Sequence, residues 1–162
     1  MESSIIKIPQ IKLIGLKVYT SNQDEFNPDK AQIGRTIQEY CQKYLNQNSN
    51  IINNSKLYSV YFEYESNHKG KYSYLIGQEV EEFLDLPEEL TAYIIPSQTY
   101  KIFETNTGIM PHVVIDAWKE IWSMEDNLTI GCDRSYIADF EAYDLNQKDP
   151  LNMNAEIYIG IK

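Results

Sequence analysis

One strand sets a carboxylate among aromatic and apolar residues, and the chemistry open to it depends on whether its face is buried or exposed. In the β-rich run from Tyr136 to Tyr143, side chains alternate between two faces. Ile137, Asp139, Glu141 and Tyr143 fall on one, and Tyr136, Ala138, Phe140 and Ala142 on the other. Neither face is clearly polar, so the pattern leaves open which one is buried. A carboxylate such as Glu141, desolvated among aromatic rings, is costly unless a cation or hydrogen-bond donors meet it. A cationic ligand removes that penalty, and each tyrosine or tryptophan face adds about 0.5–2 kcal/mol of cation–π attraction. The same carboxylate could instead act as a general base toward water. Trp118 and Trp122, four apart on one helical face, suit core packing or a groove wall. Tyr61, Tyr74, Tyr143 and Tyr158 are further candidates for that wall among thirteen tyrosines.

Other catalytic signatures are missing. The sequence contains no Gly-rich phosphate loop, His-Glu-x-x-His, Cys-x-x-Cys or Gly-x-Ser-x-Gly. We therefore expect no catalytic set, metal site or cofactor. His68 in a predicted turn and His112 at a helix start read as solvated. Cys41, on the apolar side of its helix, reads as buried and inert. With Cys132 it is one of only two cysteines, too few for a disulfide framework. Free thiols imply a reducing compartment, so the expected location is the cytoplasm. No run approaches a membrane span and the first residues lack signal-peptide order, so no membrane partner is expected. The net charge of −10 repels phosphate backbones and concentrates cations. Direct nucleic-acid binding is not expected.

The elements that position these residues form one motif written twice. Ile11 to Thr20 is a strand pattern with Gly15 inside it. Asn27-Pro28-Asp29 then supplies a helix start, and Ile33, Ile37, Tyr40, Cys41 and Tyr44 recur at helical spacing. A helix over 28–46 is predicted, closed by the asparagine-rich tract from Asn46 to Asn54. Leu57 to Glu65 and Lys71 to Glu79 are tyrosine-rich strands joined across Asn67-His68-Lys69-Gly70. Glu81 to Glu89 bridges the halves, with room for a short helical turn. In the second half, Thr91 to Thr105 carries strand material on both sides of Pro96. A helix over 111–124 shows Val114, Ile115, Trp118, Ile121 and Trp122 on one face. Tyr136 to Tyr143 and Ala155 to Ile161 are strands. The predicted fold is α+β in a single domain over 1–162. It holds two β-α-β-β repeats, about 11–80 and 91–162, related by a pseudo-twofold axis, with two main helices on an antiparallel sheet and a groove between the halves.

These pieces, in this order, resemble the GyrI-like effector-binding family. Tyr58-Ser59-Val60-Tyr61 with Tyr74-Leu75-Ile76-Gly77-Gln78-Glu79-Val80 is similar to its central hairpin. Ile94-Ile95-Pro96 running to Tyr100-Lys101-Ile102-Phe103 resembles its next strand, and Trp118-Lys119-Glu120-Ile121-Trp122 its second helix. Asp139-Phe140-Glu141-Ala142-Tyr143-Asp144 resembles its Phe-Glu-x-Tyr strand, and Glu156 to Lys162 its closing strand. The resemblance implies a ligand groove at the repeat interface with Glu141 facing into it. Family members include drug-sensing halves of multidrug-responsive transcription regulators, a gyrase-inhibitory protein, standalone drug binders and some hydrolases of strained rings. The chain departs in having only about ten residues before the first strand, so no attached DNA-binding domain is expected. It also departs at Ser97-Gln98, where small residues are usual, and at Gly160, where proline is common. The leading expectation is a standalone module that senses or sequesters a small, cationic, partly aromatic molecule. The alternatives are a hydrolase of electrophilic compounds using the same glutamate, and a gyrase-inhibitor-like module for a protein partner of unknown identity.

Overall fold

A computed structural model describes residues 1–162. The elements in chain order are β1 (Ser3–Ile8), β2 (Ile11–Ser21), α1 (Asn22–Glu25), α2 (Ile33–Lys43), β3 (Lys56–Phe62), β4 (Lys71–Glu79), β5 (Thr91–Ile95), β6 (Gln98–Glu104), α3 (His112–Asp126), β7 (Ala138–Asp144) and β8 (Glu156–Ile161). All eight strands join one antiparallel sheet in the order β1-β6-β8-β7-β3-β4-β2-β5. Read from either end, that order runs through equivalent strands and meets in the middle at β3–β7. The two β-α-β-β units predicted from the sequence are therefore present and related as expected.

β1 and β5 are additions to those units, and each pairs with the opposite half. β1 lies on β6 with Ser3 opposite Phe103, and β5 lies on β2 with Ile11 opposite Ile95. The register is the same on both sides, so residues 3–15 and 91–103 form one ribbon, interrupted at Pro9 and Pro96. Proline cannot donate to a ladder, and both sit where the ribbon breaks. At the β2–β4 crossing Gly15 lies opposite Gly77. A Cβ on either would come within about 2 Å of the facing strand's carbonyl oxygen, Ile76 O at 2.1 Å or Ile14 O at 1.9 Å.

Strand alternation sorts the interior into two layers. Tyr58, Val60, Phe62, Leu75, Ala138 and Phe140 pack with Ile11, Leu13, Ile95 and Tyr100 on the face without helices, around which the sheet curls. The other face carries the helices. α2 packs Tyr40 over Leu57, Tyr72, Tyr74 and Ile76, while α3 packs Val114, Ala117, Trp118 and Ile121 over Phe103, Ile157 and Ile159. Both faces of β7 are thus buried, which is why its sequence offers no polar side.

Several boundaries differ from expectation for local reasons. The first helix begins at Ile33, because Asn27 to Lys30 form turns and the Glu25 carboxylate accepts the N–H groups of Gln32 and Ile33 at 3.0 Å each. An acidic group there satisfies helix-terminal donors and suits the dipole. It ends early because Asn46 turns left-handed (φ 59°) and exchanges two hydrogen bonds with buried Gln78. β7 starts at Ala138 because Tyr136 has φ 53°. Glu81 to Glu89 forms no helix. Cys41, expected to be buried, is exposed: it lies beside Tyr40, which takes the inward position.

Candidate ligand-binding cavity

The two helices stand apart over the middle of the sheet and leave a cavity of about 340 Å³ between them. Its walls are mostly apolar, with Ile33 and Ile37 from α2 facing Trp118 and Trp122 from α3. The floor is the helix side of β3, β4 and β7, where the register places Ser59 opposite Glu141 and Tyr61 opposite both Asp139 and Tyr74.

Six of the seven residues singled out from the sequence border this space: Glu141, Trp118, Trp122, Tyr143, Tyr61 and Tyr74. Tyr158 does not. Its ring lies 4.4 Å from that of Phe140, on the opposite face of the sheet. Alternation decides this, because Ile157 pairs with Glu141 and occupies the cavity face, so its neighbour must turn away.

Glu141 sits at the bottom, 3% exposed. One carboxylate oxygen accepts the Tyr61 hydroxyl at 2.6 Å and the Trp118 indole N–H at 2.7 Å, and the other accepts the Tyr143 hydroxyl. No ion pair involves it. Burial pushes its pKa above the usual carboxylate value, and the three donors pull the other way without reversing the shift. Burial, reinforced by the glutamate's charge, holds the hydroxyls of Tyr61 and Tyr143 well above the ordinary tyrosine range, so both remain donors at neutral pH. Tyr61 is the hub of the rings, with Tyr72, Tyr74 and Trp118 centred 5.2–5.5 Å from it. Tyr74 shares a 2.6 Å hydrogen bond with Ser59. The whole is a desolvated negative charge framed by aromatic faces and edges.

Asp139, one residue pair along β7, has a different occupation. Its carboxylate takes Arg134, whose side chain is 2% exposed, together with the Tyr64 hydroxyl and the backbone N–H of Gly160 at 2.8 Å. Arg134 also binds Glu125 at 2.9 Å. With these partners Asp139 is not available as a second acid beside Glu141. The Gly160 bond also accounts for the departure noted there, since proline has no N–H to give.

Sequence reasoning missed several contributors, Tyr64 and Tyr72 among the tyrosines and three more outside the periodic elements. His68 is not solvated: its ring is nearly parallel to Trp122 (10°) at 5.8 Å, its Nε2 lies 3.0 Å from Asp126, and it borders the cavity. Phe26 meets Trp122 edge-on at 6.4 Å, and Arg134 closes part of the wall. All three lie outside the periodic elements, so no spacing signal pointed to them. His112 is exposed, as expected.

Comparison with known proteins agrees with this architecture. The family described as Cass2, the integron-associated effector binding protein, matches residues 4–161. The integron cassette protein VCH_CASS2 from the mobile metagenome of Vibrio cholerae is 32% identical, superposes with a TM-score of 0.76, and the alignment covers 99% of this chain and 95% of that one. SAV2435, solved bound to tetraphenylphosphonium, shares the fold at 19% identity and a TM-score of 0.73, over 100% of this chain and 94% of its own. YobU of Bacillus subtilis strain 168, which bears a provisional name as a transcriptional regulator, is 27% identical over 99% of this chain and 98% of its own. No helix is long and apolar enough to cross a membrane. The GyrI-like resemblance read from the residues is met, and the chain belongs to the Cass2 family of effector-binding proteins.

Proposed function

We propose that the cavity binds small, partly aromatic organic cations, with Glu141 as their counter-charge, and that the protein acts as a sensor or sequestering module for them. The observation that carries this reading is a nearly fully buried carboxylate in an aromatic cavity that has donors around it but no cationic partner. A cation supplied from solution would complete the pair, and the rings of Tyr61, Trp118 and Trp122 would take up the remaining positive surface. The volume suits a drug-sized molecule, and a protein of the same fold has been solved with a tetraaryl cation bound. The net charge of −10 favours cation entry over long range. The test is calorimetric titration with tetraphenylphosphonium and with neutral triphenylphosphine oxide. The reading requires clear preference for the cation; equal binding of both, or binding of neither, overturns it.

A further inference from the structure

Within the cation-binding reading above, on which this rests, we infer that the cavity selects cations without N–H donors, quaternary ammonium or aryl-phosphonium groups, over protonated amines. Tyr61, Trp118 and Tyr143 set that preference by filling the acceptor sites of Glu141.

An ionised carboxylate has about four lone-pair sites. On Glu141, Oε2 accepts both the Tyr61 hydroxyl at 2.6 Å and the Trp118 indole N–H at 2.7 Å, and Oε1 accepts the Tyr143 hydroxyl. One site is left, on Oε1. Glu25, the other carboxylate on the cavity wall, is filled as well. Its Oε1 takes the N–H groups of Gln32 and Ile33 at 3.3 and 3.0 Å, and its Oε2 takes the Thr20 hydroxyl at 2.6 Å and the Gln32 N–H at 3.0 Å. Ser59 and Tyr74 are bonded to each other. Beyond the one site on Glu141, the acceptors left on the wall are neutral.

The three donors to Glu141 are neutral too, so they occupy its lone pairs without cancelling its charge. A quaternary centre needs only that charge and the faces of the surrounding rings. A primary ammonium is strongly hydrated and brings three N–H donors. It must give up that water, and each donor left unpaired in the cavity lowers affinity by about tenfold or more.

Titration with para-phenylbenzylammonium and its mono-, di- and trimethyl forms tests this, in mildly alkaline buffer where the acid and the amines are both charged. In wild type, affinity is expected to rise with N-methylation, the trimethyl form binding tighter than the parent by about tenfold or more. Part of that rise is added apolar area, which is the same in every variant, so the change in ratio between proteins isolates the hydrogen bonds. Tyr143→Phe opens a second lone pair on Oε1, and Trp118→Phe opens one on Oε2 while keeping a ring there. Each is expected to narrow the trimethyl-to-parent ratio several-fold. Tyr158→Phe, against Phe140 on the other face of the sheet, is expected to leave it unchanged. A parent ammonium that binds wild type as tightly as the trimethyl form, or a ratio that neither Tyr143→Phe nor Trp118→Phe narrows, overturns the selectivity and leaves cation binding intact. Failure of tetraphenylphosphonium to bind in preference to triphenylphosphine oxide is the separate result that removes the reading beneath it.

Discussion

Glu141 lies directly opposite Ser59 across the β3–β7 seam, so the buried carboxylate sits where the two halves of the molecule meet. Each half contributes to its setting. Tyr61 and Tyr74 come from the first, Trp118 and Tyr143 from the second. Neither repeat alone holds the glutamate among its donors, and the cavity above it exists because the two helices cover separate halves of the sheet.

Removing the charge while keeping the shape isolates its role. Glu141→Gln is expected to weaken tetraphenylphosphonium binding by about 1–3 kcal/mol, the range for a charged partner in a low-dielectric site. Triphenylphosphine oxide should lose much less. Titration calorimetry on both proteins with both ligands reads the difference directly. Equal losses would show that the carboxylate shapes the cavity without acting as counter-charge. Turnover of an electrophile that disappears in the variant would assign it a base's role instead.

The tyrosines divide by face, and so should their variants. Tyr61→Phe removes a donor from Glu141 and should weaken cation binding by up to about tenfold, since a hydrogen bond to a charged group is worth ~1.5 kcal/mol or more and its loss moves the carboxylate toward its protonated form. Tyr158→Phe, on the far side of the sheet against Phe140, should leave affinity within about twofold, as expected for a site without shared partners. A large effect at Tyr158 measured by the same titration would mean that the two layers of the sheet are coupled.

What the sequence showed of this molecule follows from where its signals are periodic. Residues on regular elements were readable: the β4 strand from Lys71 to Glu79, the α3 face of Trp118 and Trp122, and the alternation that puts Glu141 with Tyr143. Strand β1 was not, because a short edge strand with no alternation is recognised only through its partner β6. His68, Phe26 and Arg134 were not, because their places are set by contacts with residues far along the chain or by irregular backbone. Tyr158 and the tyrosines considered with it were alike in type, and only the register of β8 on β7 separates them.

Charge predicts a negative result with DNA. At −10 the protein repels a polyanion, and attraction that depends on phosphate neutralisation is greatest at low salt. A gel shift at low ionic strength is therefore the demanding condition, and no retardation is expected there. Retardation that persists against competitor DNA would point to a basic surface exposed in some other state.

The Arg134–Asp139 pair should show the asymmetry of buried ions. Asp139→Asn leaves Arg134 charged and 2% exposed, with Glu125 as its remaining ion-pair partner. Breaking a buried pair from one side is expected to destabilise by about 3–5 kcal/mol. Replacing both, Asp139→Asn with Arg134→Met, should recover part of that loss. Urea denaturation of both single variants and the double beside wild type measures it, and additive losses in the double variant would mean that the pair contributes little as a pair.

The pH dependence of Glu141 has a definite sign in each state. In the unliganded protein burial raises its pKa above the unfolded value, so the folded state holds the proton more tightly. Stability from this group is then full below the unfolded pKa, about 4.3 for a free glutamate, and declines as pH rises through the raised folded value. Glu141→Gln removes that decline, so its thermal midpoint relative to wild type should climb between pH 4 and neutrality. The climb corresponds to roughly 1.4 kcal/mol for each tenfold difference in proton affinity between the folded and unfolded states. A bound cation favours the ionised form and pulls the pKa down, since proton and ligand compete for one carboxylate. Affinity for tetraphenylphosphonium should accordingly fall as pH drops through the unliganded pKa, and the Gln variant should lack that fall. Thermal melts and titrations across the same pH series check both halves. A wild-type affinity flat with pH, beside a stability profile that follows Glu141, would separate the buried acid from the ligand.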